Sequence, residues 1–128
     1  MKFSKETRIK VWEKLDKHCA YCGKDIELKQ MQIDHIDPVF RSFKDHELER
    51  CKRDRGKHDM SNFNPSCARC NRWKSTFTIE EFRNEISLQI NRLNRYSNNY
   101  RMALDYGLIE ETKIPVKFYF ENVNYLKE

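Results

Sequence analysis

Cys19-Ala20-Tyr21-Cys22 and Cys67-Ala68-Arg69-Cys70-Asn71-Arg72-Trp73-Lys74 bracket a segment whose centre reads Gln32-Ile33-Asp34-His35-Ile36-Asp37-Pro38. Each Cys-x-x-Cys pair can offer two thiolates from one tight turn, and four thiolates complete the tetrahedral shell that zinc prefers. Cys19, Cys22, Cys67 and Cys70 therefore predict one structural zinc that clamps a hairpin and a helix together, drawing on two distant parts of the chain. With all four positions filled by protein, that metal keeps no open site for chemistry. Gly23, directly after the second cysteine, supplies the positive-φ turn that a metal knuckle requires.

Composition agrees with a stapled fold. Of the 128 residues, 38% are hydrophobic and 35% charged, which suits one compact domain with a thin core under a charged surface. The formal charge is +5. It is concentrated in residues 1–76, which also hold the cysteines and Asp34-His35, whereas residues 77–128 are close to neutral. A polyanion such as nucleic acid is the natural partner of the first part. No hydrophobic run is long enough for a membrane span and the N-terminus has no apolar signal core, so no membrane partner and a reducing, cytoplasmic setting are expected.

Working outward, Ser4 is placed to cap a helix running to about Asp16 or Lys17, with Ile9, Val11, Trp12 and Leu15 as its apolar positions. Ile26, Leu28, Met31 and Ile33 predict a strand region over 24–33 that enters Asp34-His35. Residues 40–60 are basic and poorly periodic, and read as a long loop with a short helix around Asp45–Arg53. Cys51, His46 and His58 fall in this loop as surface residues, with a place near the site left open for His58. A short helix is expected from Cys70 or Asn71 to Ser75. Thr78-Ile79-Glu80-Glu81 reads as a capping box opening a long helix, with Ile79, Phe82, Ile86, Ile90 and Leu93 as its core stripe. Ser97-Asn98-Asn99 should break it, further turns should run from Tyr100 to Tyr106 and stop at Gly107, and Val116, Phe118 and Phe120 alternate as a strand would.

The candidate chemistry lies inside the cysteine bracket. His35 is the type of side chain best suited to take a proton from water near neutral pH. Asp34 offers a hard carboxylate oxygen for Mg²⁺, and Asn71, on the first turn of the short helix, a neutral carbonyl oxygen for the same ion. Lys74, one turn further on, could meet a phosphate. Neighbouring strand residues point to opposite faces, so Asp34 and His35 can serve one reaction only if the strand bends or the two act from opposite sides of a shared site.

Asp34-His35-Ile36-Asp37-Pro38, then Asn62, then Cys67 to Lys74 closely resembles the HNH endonucleases, in their zinc-knuckle branch with a ββα-metal finger, over roughly residues 8–76. The resemblance implies an α+β fold: an HNH finger stapled by a four-cysteine zinc site in residues 1–76, preceded by an N-terminal helix. A C-terminal helical extension with a short strand, residues 77–128, would pack on it. It implies DNA phosphodiester hydrolysis, with His35 as general base, Asp34 and Asn71 holding one catalytic divalent ion, Asn62 tying the hairpin loop, and Lys74 as the basic residue after the motif. The third motif position is Asn71 rather than His, as in the HNH domain of RNA-guided CRISPR nucleases; with fewer nitrogen ligands the site should favour Mg or Mn over softer metals. Small members of the family occur in phage, restriction, homing and defence settings. An RNA-directed nuclease with the same site and a non-catalytic zinc-dependent nucleic-acid-binding module are the competing readings. The extension reads as a scaffold, a homodimer surface or a site for a partner protein.

Overall fold

The computed structural model of the chain describes residues 2–126, the side chains of 124–126 excepted. Helix α1 (Lys5–Lys14) begins where the Ser4 hydroxyl accepts the Thr7 N–H at 3.1 Å, and it buries Val11 completely. Strand β1 (Gln32–His35) pairs antiparallel with β2 (Phe63–Ser66), placing Asp34 opposite Asn64 and His35 opposite Phe63. Between them lie α2 (Asp45–Arg50) and a single 3-10 turn (Met60–Asn62). Helix α3 (Ala68–Lys74) follows β2 directly, completing a ββα unit.

The strand expected over 24–33 is confined to its last residues. Residues 24–31 instead turn back on α1, because α1 captures their carbonyls. Arg8 donates to the carbonyls of Leu28 (2.8 Å) and Met31 (2.7 Å), and the Trp12 indole donates to that of Ile26 (2.8 Å). The apolar positions Ile26 and Met31 are buried, yet in a looped backbone that an alternating pattern cannot distinguish from a strand.

Thr78 caps α4 (Ile79–Ser87) through the expected box, its hydroxyl accepting from Glu81 and the Glu81 carboxylate accepting the Thr78 N–H. The predicted long helix is divided at Leu88 into α4 and α5 (Gln89–Tyr96). There the Ser87 hydroxyl bonds back to the Asn84 carbonyl and the Gln89 amide to that of Glu85, local competition that bends helices. Ser97 ends α5 and caps α6 (Asn98–Asp105), and Gly107 adopts φ +73 just beyond it.

The expected strand through Val116, Phe118 and Phe120 is replaced by helix α7 (Tyr119–Leu126). Glu121 explains the difference. Its carboxylate accepts the Phe118 N–H at 2.9 Å, the return bond of a helix cap, and is held by both terminal nitrogens of Arg83 at 2.9 and 2.6 Å. Three alternating residues are too few to outweigh that start signal.

The core gathers α1, the knuckle residues and the C-terminal segment into one cluster: Val11, Leu15, Tyr21, Met31, Phe63, Phe82 and Phe118 among others. Phe118 stacks on Phe82 at 5.1 Å and meets the Tyr21 ring edge-on at 5.4 Å. Burying such a phenyl ring stabilises by about 1.5–3 kcal/mol, so residues beyond 76 contribute to the core that carries the knuckles. No helix among the described residues is long and apolar enough to cross a membrane.

Candidate active site and metal centre

The four cysteines converge. Their sulfur atoms all lie within 4.8 Å of one another, with Cys22 and Cys67 at 4.0 Å. A tetrahedron with zinc–sulfur bonds of about 2.3 Å has edges of about 3.8 Å, so a slight contraction would bring all four onto one ion. Backbone N–H groups already point at the sulfurs: Cys67 N–H to Cys19 Sγ (3.3 Å) and Cys70 N–H to Cys67 Sγ (3.4 Å). The hydrogen bond with Cys70 holds the Cys19 thiol down to about 4, while that bond and burial push Cys70 far above the ordinary thiol range, and burial raises Cys22. Four thiols so close cannot all ionise alone; a divalent cation removes that conflict. The donor set fits a metal such as zinc.

Asp34, His35 and Asn71 line one cleft of about 280 Å³, walled on the far side by residues 38–43 with Arg41 among them. Asp34 arrives from β1 and Asn71 from α3, which the sulfur cluster anchors at Cys67 and Cys70. The Asn71 amide N–H donates to Gln32 Oε1 at 2.6 Å, which turns its carbonyl oxygen free for another partner. A carboxylate and an amide oxygen facing one cleft are the hard donors a divalent ion such as Mg²⁺ accepts.

Lys74 departs from expectation. Rather than reaching toward a phosphate, it is completely buried, because the last turn of α3 packs directly behind β1. Its ammonium lies 3.1 Å from Asp34 Oδ2 and donates to the His35 carbonyl at 2.9 Å. The Tyr21 hydroxyl donates to the same Oδ2. Burial raises the Asp34 carboxyl above its ordinary range, and Lys74 and Tyr21 work against that shift. The cation at the cleft is Arg41.

On the other face of β1, His35 packs edge-on against Phe63 at 5.3 Å and stacks with His58 at 5.2 Å. Its Nε2 lies 2.9 Å from His58 Nδ1. His35 is pushed down to about 4, first by burial and then by the nearby charges of His58, Arg41 and Lys74. Asn62, buried, fixes the turn beyond it: its amide oxygen accepts the Asp37 N–H (2.8 Å) and its nitrogen donates to the carbonyls of Asp37 (2.9 Å) and Lys57 (2.7 Å). One side chain thus joins the end of β1 to the segment that carries His58.

The basic loop is partly consumed in holding itself. Arg55 donates to the carbonyls of Val39, Phe40 and Phe43 and pairs with Asp45, stapling the wall of the cleft. Arg53 pairs with Glu81 of α4 at 2.7 Å. Cys51 and His46 are exposed, as expected. Sequence reasoning missed Tyr21 and the cleft position of Arg41, and had left open the place near the site that His58 takes beside His35. His58 had one usable signal, a place four residues before Asn62.

Residues 19–77 match the model of the HNH endonuclease family. Among curated proteins, none is significantly similar to the sequence. Among solved structures, the chain is similar to the Type II-C Cas9 enzyme from Actinomyces naeslundii, with a TM-score of 0.48 and 25% identity over 62% of this chain and 7% of that one. The chain thus spans a small part of that protein's length.

Proposed function

Because residues 19–77 belong to the HNH endonuclease family, we propose that this protein is a metal-dependent endonuclease that hydrolyses DNA phosphodiester bonds. The observation that carries the reading is that Asp34 of β1 and Asn71 of α3, far apart in sequence, line one cleft that His35 borders from the end of the same strand. His35 is the general base. With its conjugate acid near 4 it rests unprotonated at neutral pH, ready to take the proton of a water that attacks phosphorus. In the tautomer that carries its proton on Nε2, the 2.9 Å contact with His58 Nδ1 is a donated hydrogen bond and Nδ1 is left for that water. Asp34 and Asn71 hold the divalent ion, whose charge would stabilise the crowded phosphate and the departing 3′ oxygen. Arg41 meets the scissile or a neighbouring phosphate, and Asn62 holds the loop that orients His35. The basic half of the chain favours a polyanion, and hydrolysis by an activated water requires no 2′-hydroxyl, which favours DNA over RNA as the substrate.

Supercoiled plasmid incubated with purified protein and Mg²⁺ or Mn²⁺ tests this directly. Nicked or linear DNA with metal, intact DNA with EDTA, and loss of cleavage in His35→Ala are the expected results. Wild-type protein that leaves plasmid untouched under every metal but still binds DNA would replace the nuclease with a zinc-dependent binding module. Cleavage restricted to RNA would change the substrate and keep the site.

A further inference from the structure

Among the described residues, every side-chain donor to Asp34 comes from one of the two cysteine-bearing segments. Tyr21 lies between Cys19 and Cys22, and its hydroxyl donates to Asp34 Oδ2. Lys74 ends α3, the helix that Cys67 caps and Cys70 anchors, and its ammonium sits 3.1 Å from the same oxygen. Both groups are buried, Tyr21 with 4% of its surface exposed and Lys74 with none. Lys74 also donates to the other carboxylate oxygen, Oδ1, at 3.4 Å, so its ammonium spans both oxygens. Asp34 therefore meets the cleft with its carboxylate plane held by two buried donors.

We infer that Tyr21 and Lys74 are positioning residues for the divalent-ion site, fixing the orientation of the Asp34 carboxylate from the cysteine clamp, Tyr21 through Oδ2 and Lys74 across both oxygens. The inference rests on the nuclease reading above. Its physical basis is that a carboxylate ligand is free to rotate about its terminal torsion unless outer hydrogen bonds hold it, and such partners are commonly worth ten- to a hundredfold in metal affinity. Two features make the arrangement more than ordinary core packing. Lys74 also ties the His35 carbonyl at 2.9 Å, so one ammonium fixes the backbone of the base and the side chain of the ion ligand. Tyr21 reaches Asp34 while its ring is enclosed edge-on by Phe82 and Phe118, at 5.5 and 5.4 Å, so the hydroxyl has little freedom to follow another partner. The two cysteine pairs thus act at the cleft through one group each.

Tyr21→Phe is the discriminating variant, since it keeps the ring packing and removes only the hydroxyl. Mn²⁺ binding to the zinc-loaded protein, followed by the electron paramagnetic resonance of free Mn²⁺, provides a readout that does not depend on cleavage. Asp34→Asn serves as the reference for lost binding, and zinc content with circular dichroism establishes that each variant is folded. The expected result is Mn²⁺ affinity weakened about tenfold or more in Tyr21→Phe, together with a matching rise in the Mn²⁺ concentration that half-saturates plasmid cleavage. A folded Tyr21→Phe with wild-type affinity would overturn the positioning role while leaving the nuclease reading intact. Wild-type protein that shows no Asp34-dependent Mn²⁺ binding would overturn both. Lys74→Met supplies a second, independent arm where it folds: weakened Mn²⁺ binding supports the role, unchanged binding rejects it.

Discussion

At the scale of single residues, His35 carries the proposed general-base role, and its surroundings fix when it is unprotonated. Its ring is almost enclosed, with Phe63 against one edge and His58 stacked beside it, so a positive charge there is poorly solvated and faces other cations. The group is pushed down to about 4 from an ordinary value near 6.5. The sign follows from linkage. Between these two values the unfolded chain binds the proton and the folded chain does not, so stability falls as pH drops through that window and is fully present above it. Cysteine ligands also compete with protons in acid, so the measurement must be a difference. The loss of stability between pH 6.5 and 4 should be smaller in His35→Gln than in wild type, read from urea midpoints at matched pH. By NMR, the His35 titration should move upward in His58→Ala, because one of the charges that depresses it is gone. An unmoved titration would mean that burial alone sets it. Residue identity made the placement of much of the candidate site legible: the four cysteines cluster, Asp34 and Asn71 line one cleft, and Asn62 ties the turn beyond His35. The part of Lys74 was not legible, since a lysine at the end of a short helix reads as a surface cation. Only the packing of α3 behind β1 shows that it is enclosed with a carboxylate.

At the scale of elements, the pattern is clearest where caps speak and weakest where period alone must decide. Ser4, Thr78 and Ser97 each start a helix through a side-chain bond that the sequence advertises. Strand β2 is masked by Pro65, which removes a ladder donor and normally argues against a strand. It is tolerated because the sheet has only two strands, and its carbonyl serves the Ala20 N–H at 2.8 Å instead. The 24–31 loop and α7 mislead for the same reason, a few alternating apolar residues whose backbone is set by Arg8, Trp12 and Glu121 from elsewhere. The basic loop carries the sharpest test at this scale. Gly56 donates to the Pro38 carbonyl at 2.8 Å, and a methyl group on it would sit 1.9 Å from the Asp37 carbonyl oxygen, which is backbone and cannot swing aside. Gly56→Ala should force the loop off Asp37, the residue that Asn62 grips, and so disturb the turn after His35. Cleavage rate should fall about tenfold or more, in keeping with the cost of small misplacements near reacting groups. The four-cysteine cluster should stay loaded with zinc, since it lies on other elements. Wild-type cleavage by Gly56→Ala would show that the loop can yield without moving the site.

At the scale of the whole molecule, the cysteine cluster and the aromatic core are one structure. Tyr21 belongs to the knuckle, to the stack with Phe82 and Phe118, and to the bond with Asp34. The C-terminal segment is drawn into the same place, with Phe120 N–H donating to the Ala20 carbonyl at 2.8 Å. A metal that binds the folded chain adds its binding free energy to folding, and a small charged domain has little apolar burial to set against its loss. Removing the zinc should therefore do more than slow catalysis. In protein stripped with a strong chelator and returned to excess Mg²⁺, cleavage should stay absent, the thermal transition should fall by many degrees or vanish, and the near-ultraviolet signal of the buried tyrosine should collapse. Re-addition of zinc should restore all three. Cys70→Ser should behave like stripped protein, whereas Cys51→Ser, exposed and outside the cluster, should match wild type. Two metals with separable effects follow from this arrangement: Mg²⁺ withdrawal should stop cleavage and leave the melting curve in place, and zinc withdrawal should remove both. If stripped protein kept its melting curve and cut DNA on Mg²⁺ addition, the aromatic core alone would hold the ββα unit, and the cysteines would be a reinforcement rather than the clamp on which Asp34 depends.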